Sequence, residues 1–335
     1  YFANELFDRL DRPLQDFLLK TAFVPKITPG LAEALTGNKA AGQILSNLHR
    51  KNYFTEKRTQ PDVIYQYHPL FREFLQNRQK DAAGLSGIIE MQTRAGEILE
   101  EADRPEEAAA LFIEAQDWQS LGRIILMHAQ TLMSQGRSGL LDHWVSRMPE
   151  KIVHDMPWLL FWKGMCRFAV SPAESLSHLK KAYVQFRSQK DVPGVYLAWA
   201  GIVDSVLYSF EDMNRVDEWI EAYDGIDQEN EAVLPAEIAA RAASSMLTAL
   251  VFRQPWRTDL DSLLNKALLS TDSNLKVQAL FHYIFHLGNA GGMGNARQAV
   301  DALHRLEDCF DTSPFHRLTI YMFDAFFVGI LFYRN

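Results

Sequence analysis

From about residue 88 onward, helical periodicity is interrupted by turn residues at nearly regular intervals. The interruptions lie 33 to 42 residues apart, at Pro105, Gly139, Pro172, Met213, Pro255 and Asn295. Intervals of about 34 to 45 residues, each holding one helix pair, are typical of tetratricopeptide-like α-solenoids. Because one helix pair cannot bury its apolar face alone, successive pairs must stack. The sequence therefore predicts an all-α repeat domain over residues 86–335, with a surface suited to binding.

Residues 1–85 follow a different pattern, in which short helices precede two β-rich runs. The predicted helices and runs are Pro13–Lys20, Leu31–Leu35, Ala40–Asn52, Tyr53–Arg58, Val63–His68 and a last helix at Pro69–Lys80. The residues between the two runs, Thr59 to Asp62, have turn chemistry that favours a hairpin. Three or four helices plus a hairpin indicate a winged-helix domain. We place its end at residue 85, within the small-residue segment Asp81–Gly87, so the predicted fold is predominantly all-α with a winged helix followed by a solenoid.

Composition and charge narrow the class of protein further. Hydrophobic residues make up 47% of the chain, and the formal net charge of −8 divides into +3 for residues 1–85 and −11 for the rest. Two cysteines, Cys166 and Cys309, are too few for a disulfide framework, which favours a reducing, cytoplasmic location. The apolar stretch Leu318–Tyr333 is sixteen residues long and contains Asp324, so no membrane span is expected. Because the sequence starts without methionine and stops inside an apolar helical pattern, we expect a piece of a longer protein.

A family resemblance rests on the segment Tyr65–Leu75, which contains the run His-Pro-Leu-Phe-Arg-Glu-Phe-Leu, preceded by Leu45–Phe54. Together with Asp16–Thr21, Ile98–Trp118 and Trp144–Pro149, it resembles the region after the nucleotide-binding domain of MalT-like transcriptional activators. These bacterial STAND-class signalling ATPases carry a LuxR-type DNA-binding domain at the C-terminus. The clear resemblance covers about residues 1–190.

The resemblance implies a regulatory role and no catalysis by this chain. The sequence lacks a Gly-x-x-x-x-Gly-Lys-Ser/Thr phosphate loop, so we expect no enzymatic activity and no bound cofactor here, with ATP or ADP held by the parent protein's NTPase domain. The implied partners are that NTPase domain, the DNA-binding domain, a small-molecule inducer or regulatory protein, and further copies of the protein on activation. The alternative is a scaffold of helical repeats that binds proteins and no small molecule.

His68 is the candidate nucleotide sensor. It stands between the second β-rich run and the proline-led helix. In STAND proteins, a winged-helix histidine can contact the phosphates of ADP, and an imidazole can donate a hydrogen bond to a phosphate oxygen. The resemblance thus implies that His68 links domain orientation to nucleotide state. The alternative is a structural role, in which His68 only caps the helix or packs in the domain.

Aromatic residues give the candidate effector site. Trp158 and Trp162 share a helical face, and Tyr196 and Trp199 lie three residues apart on a later helix. Such rings could stack on a sugar or another flat ligand, although aromatic residues at this spacing are also typical of a solenoid core.

Three other patterns favour structural roles over nucleic-acid, metal or nucleotide binding. The basic residues His49, Arg50, Lys51, Lys57 and Arg58 resemble the flanks of a DNA-reading helix, but a net charge of +3 is weak for that, so no direct nucleic-acid contact is expected. His282 and His286 lie four residues apart without the further ligands that zinc requires, so no metal is expected. The glycine-rich segment Gly288–Asn295 lacks a following lysine and indicates a flexible turn.

Overall fold

The structure is a computed structural model that describes residues 2–59, 62–209, 211–230 and 234–290. The chain divides into two compact units, Tyr1–Glu150 and Lys151–Asn335. Three sequence features, Asn295, Cys309 and Leu318–Tyr333, lie outside the described residues. Of the glycine-rich segment, residues 288–290 belong to the last described helix rather than to a turn, and the remainder also lies outside.

The first unit consists of eight helices and one hairpin within its described residues. They are α1 (Phe2–Asp8), α2 (Arg12–Thr21), α3 (Pro29–Thr36), α4 (Ala41–Arg50), β1 (Thr55–Arg58), β2 (Ile64–Tyr67), α5 (Pro69–Glu101), α6 (Pro105–Ala115), α7 (Trp118–Ser134) and α8 (Ser138–Arg147). Local signals fix the early boundaries: Asp11 and Thr28 accept hydrogen bonds from N–H groups in the first turns of α2 and α3, and Gly37 ends α3 with φ of 70°. The predicted winged-helix elements agree with this order.

The hairpin pairs Thr55 with Tyr67 and Arg58 with Ile64 in antiparallel register. A third segment joins it at Ile27, whose backbone exchanges two hydrogen bonds of 2.8 Å with Tyr65. The hydroxyl of Tyr67 is buried and lies 2.7 Å from Thr21 Oγ1. Because the hydroxyl is buried, the pKa of Tyr67 rises above its ordinary value, and the phenol stays protonated as part of the core.

Helix α5 differs from the sequence-based expectation. The predicted break over Asp81–Gly87 is a kink confined to Gly84, which has φ of 66° and ψ of −178°. Glycine adopts this backbone region readily, whereas other residues do not. The rest of the segment is helical, so the last winged-helix element runs into the first repeat helix. A domain boundary at residue 85 stays a prediction.

The second unit is helical throughout its described residues. It contains α9 (Glu150–Asp155), α10 (Pro157–Arg167), α11 (Pro172–Gln189), α12 (Val192–Ser209), a 3₁₀ turn (Met213–Val216), α13 (Asp217–Asn230), α14 (Ala236–Arg253), α15 (Leu260–Ala267) and α16 (Ser273–Ala290). Successive helices pack on one another, and their inner faces are apolar or carry small residues such as Ala240, Ala242 and Ala243. The predicted helical-repeat architecture is confirmed.

Candidate functional site

His68 lies between β2 and α5, where its backbone is fixed and its side chain is exposed. Its N–H donates to the Phe54 carbonyl at 2.7 Å, and its carbonyl accepts from the N–H groups of Phe71 and Arg72 at 2.9 and 3.0 Å. The imidazole makes no capping hydrogen bond to α5. His68 thus occupies the N-cap position through its backbone alone, and its ring is accessible from solvent.

A cleft of about 440 Å³ surrounds His68, with Glu56, Arg72, Glu73 and Gln76 among its lining residues. Arg72 is directed inward: its Nε and Nη2 donate to the carbonyls of Ala22 and Phe23 at 2.8 and 3.1 Å. Two carboxylates beside His68 would repel a phosphate. With one guanidinium against two carboxylates, the cleft by itself offers a phosphate no net positive charge.

Arg104 connects the first repeat to the winged helix. Its Nη1 and Nη2 each donate to the Lys26 carbonyl at 3.1 Å, and its Nε donates to Glu107 Oε1 at 3.0 Å. Lys26 adjoins Ile27, which is hydrogen-bonded to Tyr65 in β2. A continuous set of hydrogen bonds thus runs from α6 to the strand that ends one residue before His68.

The candidate aromatic residues fall into two ring clusters. Trp158 contacts Phe161 and Phe186, with ring centroids 5.8 and 4.9 Å apart, and its Nε1 donates to Asp191 Oδ2 at 2.9 Å. Trp162 contacts Phe161 at 4.9 Å and is 9% exposed. These two tryptophans pack mainly against other rings, so a ligand could reach only part of their surfaces.

Tyr196 and Trp199 are fully buried. Both contact Tyr223, with centroids 5.9 and 4.6 Å apart, and Trp199 Nε1 donates to the Trp219 carbonyl at 2.8 Å. Their polar atoms and faces are used in helix packing, which argues against direct contact with an effector. An effector role for Trp158 and Trp162 stays a prediction.

The sequence-based reasoning missed an apolar cavity of about 500 Å³ that involves α12, α14 and α16. Thr248 and His282 lie in its wall, with Thr248 Oγ1 3.0 Å from His282 Nδ1. Burial lowers the pKa of His282 to about 4, so the ring is neutral near pH 7. In the sequence, Thr248 and His282 stand out only as polar residues within apolar helices. From the sequence alone, His282 is weighed solely as a metal ligand.

The described residues contain no group of three His, Cys, Asp or Glu side chains placed to hold a metal ion. Basic side chains of the winged helix contact the protein itself: His49 Nδ1 lies 3.0 Å from the Thr55 carbonyl oxygen, and the Lys51 and Lys57 ammonium groups lie over the rings of Tyr53 and Tyr65. The absence of nucleic-acid contact stays a prediction. Among the helices described, none has the length and apolarity needed to cross a bilayer.

Comparison with known proteins agrees with this arrangement of domains. A family model described as the MalT winged helix domain matches residues 3–85. The HTH-type transcriptional regulator MalT of Klebsiella pneumoniae, strain 342, is 26% identical over 160 residues, which cover 48% of this chain and 18% of that protein. Residues 3–85 therefore resemble the MalT winged helix domain. MalT from a second Klebsiella pneumoniae strain, MGH 78578, has the same identity and coverage, so the matched region spans under a fifth of these relatives.

A solved structure is similar in fold to most of this chain. It is a Signal Transduction ATPase with Numerous Domains from Pyrococcus horikoshii with a tetratricopeptide repeat sensor. The TM-score is 0.64 at 14% identity, over 98% of this chain and 49% of that one. This likeness concerns the fold, and it agrees with a winged helix followed by helical repeats.

Proposed function

We propose that the chain is the regulatory and signal-sensing portion of a MalT-like transcriptional regulator. In this proposal, the helical repeats bind an inducer or a regulatory protein, and the winged helix transmits that event to an NTPase domain. The match over residues 3–85 and the MalT relatives support a regulatory role.

The contact of Arg104 with Lys26 carries the proposal. It ties the start of α6 to the backbone that pairs with β2, and β2 leads to His68. A change at the start of α6 can therefore alter the position of His68. Allosteric coupling requires such an element between two sites, with different contacts in two states.

Further parts of the proposal follow from the MalT-like relationship. The partners are the parent protein's NTPase domain, which holds ATP or ADP, its LuxR-type DNA-binding domain, and other copies of the protein on activation. We place the protein in the bacterial cytoplasm. The chain itself catalyses nothing, in keeping with the missing phosphate loop.

The variant His68→Ala in the full-length regulator tests the sensing role. A charge-assisted hydrogen bond to phosphate contributes about 1.5–3 kcal/mol, so its loss should accelerate ADP release by roughly tenfold or more. Transcription without inducer should rise in parallel. The measurements are the dissociation rate of a fluorescent ADP analogue and basal transcription.

His49→Ala is the matched control, because His49 is a winged-helix histidine that does not line the His68 cleft and whose Nδ1 lies beside the Thr55 carbonyl. It should leave ADP release unchanged. Equal ADP release in wild type and His68→Ala would contradict the sensing role. Regulation that proceeds with no inducer, through protein partners alone, would favour the scaffold alternative.

A further inference from the structure

The cavity in the second unit has the size of a small-molecule site. It measures about 500 Å³ and is bordered by α12, α14, α16 and the 3₁₀ turn at Met213. Ligand cavities in proteins typically measure about 300–1,000 Å³ and are lined mainly by apolar and aromatic side chains. In a stack of repeat helices, the side chains of α12, α14 and α16 would be expected to fill a space of this kind.

The walls of the cavity are aromatic and aliphatic. Leu207, Phe252, Val277 and Phe285 contribute apolar surface, and the rings of Phe252 and Phe285 lie 5.9 Å apart. The ring of Phe252 also meets that of His282 at 5.7 Å, with an interplanar angle of 70°. Rings arranged in this way favour a flat aromatic guest, which can stack on one face and meet the edge of another.

The polar side chains of the wall are uncharged, and they are Tyr208, Thr248, Asn274, Gln278 and His282. Thr248 and His282 are hydrogen-bonded to each other, and burial keeps His282 neutral. The described lining residues include no Asp, Glu, Lys or Arg. A charged ligand would therefore lack a counter-charge, and a ligand with many hydroxyl groups would bury several of them against a mainly apolar wall.

We propose that this cavity binds an uncharged, largely apolar small molecule with an aromatic ring, and that such a compound is the effector of the repeats. The effector role rests on the proposed function, whereas the binding site does not. The effector then binds away from the Trp158 cluster, and of the two ligand types expected there, a sugar or another flat ligand, the cavity favours a flat aromatic compound.

The test uses the whole chain, residues 1–335, and the neutral fluorophore N-phenyl-1-naphthylamine as probe. Saturable binding of one probe per chain is expected. Val277→Trp places an indole in the cavity and should weaken probe binding at least about tenfold. Sucrose and the anion 1-anilinonaphthalene-8-sulfonate should compete poorly with the neutral probe for this site.

Ala222→Trp is the matched control. Ala222 lines a separate cavity of about 530 Å³ beside Arg187, Lys190 and Ile226 in the same unit. This substitution should leave probe affinity unchanged, and circular dichroism should show that both variants are folded. Probe binding that is absent from the whole chain, or equal in Val277→Trp and wild type, would overturn the proposed site.

A second measurement separates the site from the sensing role. In the full-length regulator, Val277→Trp should alter ADP release, because the indole occupies the place of the effector. Unchanged ADP release despite weakened probe binding would overturn the effector role of this cavity. The sensing role of His68 is judged separately, from the His68→Ala variant.

Discussion

Individual aromatic residues have different roles that their spacing in the sequence conceals. Trp199 is fully buried and bonded to the Trp219 carbonyl, so Trp199→Ala should destabilise the chain by about 3–5 kcal/mol. Trp158→Phe keeps an aromatic ring and loses the hydrogen bond to Asp191, so a smaller cost of about 1 kcal/mol is expected. Chemical denaturation of both variants measures the difference. A Trp199→Ala variant as stable as Trp158→Phe would contradict the assignment of Trp199 to the core.

His282 should make stability depend on pH. Its pKa is about 4 in the folded chain and 6.5 for an ordinary histidine, so the unfolded chain binds more protons between these values. Stability from this residue is complete above pH 6.5 and falls by about 3 kcal/mol as the pH drops towards 4. Asp204, paired with Arg241, is the charged group that acts on His282 from α12, and it only partly offsets the burial.

The variant His282→Asn isolates this effect from the other histidines. It cannot titrate, so its unfolding free energy should fall less steeply than that of wild type between pH 6.5 and pH 4. Urea unfolding at several pH values measures both slopes. Identical slopes would show that His282 is protonated in the folded chain near its ordinary pKa.

Single glycines determine how closely the repeat helices approach. A Cβ on Gly194 in α12 would lie 2.6 Å from Phe186 Cε1 in α11, and Phe186 is itself fully buried against Trp158. Gly194→Ala should therefore cost about 1–3 kcal/mol through overpacking. Gly225→Ala, in α13 with no atom within 4 Å of the added Cβ, should instead stabilise by about 0.5–1 kcal/mol. Thermal denaturation distinguishes the two, and a stabilising Gly194→Ala would contradict the close approach.

The elements with local end signals could be predicted from the sequence. The caps at Asp11, Thr28 and Gly37 bracket α2 and α3, and the hairpin runs carry turn residues between them. The continuation of α5 could not be predicted, because a glycine in a small-residue segment fits a loop as well as a kink of one residue. The core position of Trp199 was also hidden, since core and surface aromatics share the same periodicity.

Across the whole molecule, the contacts on which the proposed function rests join residues far apart in sequence. Arg104 and Lys26 are 78 residues apart, and the hydrogen bond uses a backbone carbonyl that no side-chain pattern marks. The cavity likewise combines α12, α14 and α16, whose separate sequences indicate only buried helices. The resemblance predicted a winged helix followed by helical repeats. The structure adds the hydrogen bonds by which Arg104 of the first repeat contacts the winged helix.

Arg104→Met should weaken the contact between the first repeat and the winged helix. Methionine keeps most of the apolar length of the arginine side chain. The variant loses two hydrogen bonds to the Lys26 carbonyl and the ion pair with Glu107. Lys26 precedes the Ile27 backbone that pairs with Tyr65, so the amides of Ile27 and Tyr65 should exchange with solvent about tenfold faster, which corresponds to about 1.4 kcal/mol of local stability. Hydrogen exchange read by mass spectrometry on the 335-residue chain measures this.

Arg123→Met provides the comparison that makes the Arg104 result specific. Arg123 forms a two-point ion pair with Glu100, at 3.0 and 2.7 Å, within the first repeat helices. Arg123→Met removes the same charge and the same kind of side chain as Arg104→Met. The hydrogen bonds of Arg123 do not reach Lys26, so hydrogen exchange at Ile27 and Tyr65 should stay at the wild-type rate. If the two variants accelerate exchange at these amides equally, the charge matters and the Lys26 contact does not, and transmission to His68 must follow another route. If only Arg104→Met accelerates exchange at these amides, the result supports transmission through β2. In the full-length regulator, the same variant should then uncouple ADP release from effector binding to the repeats.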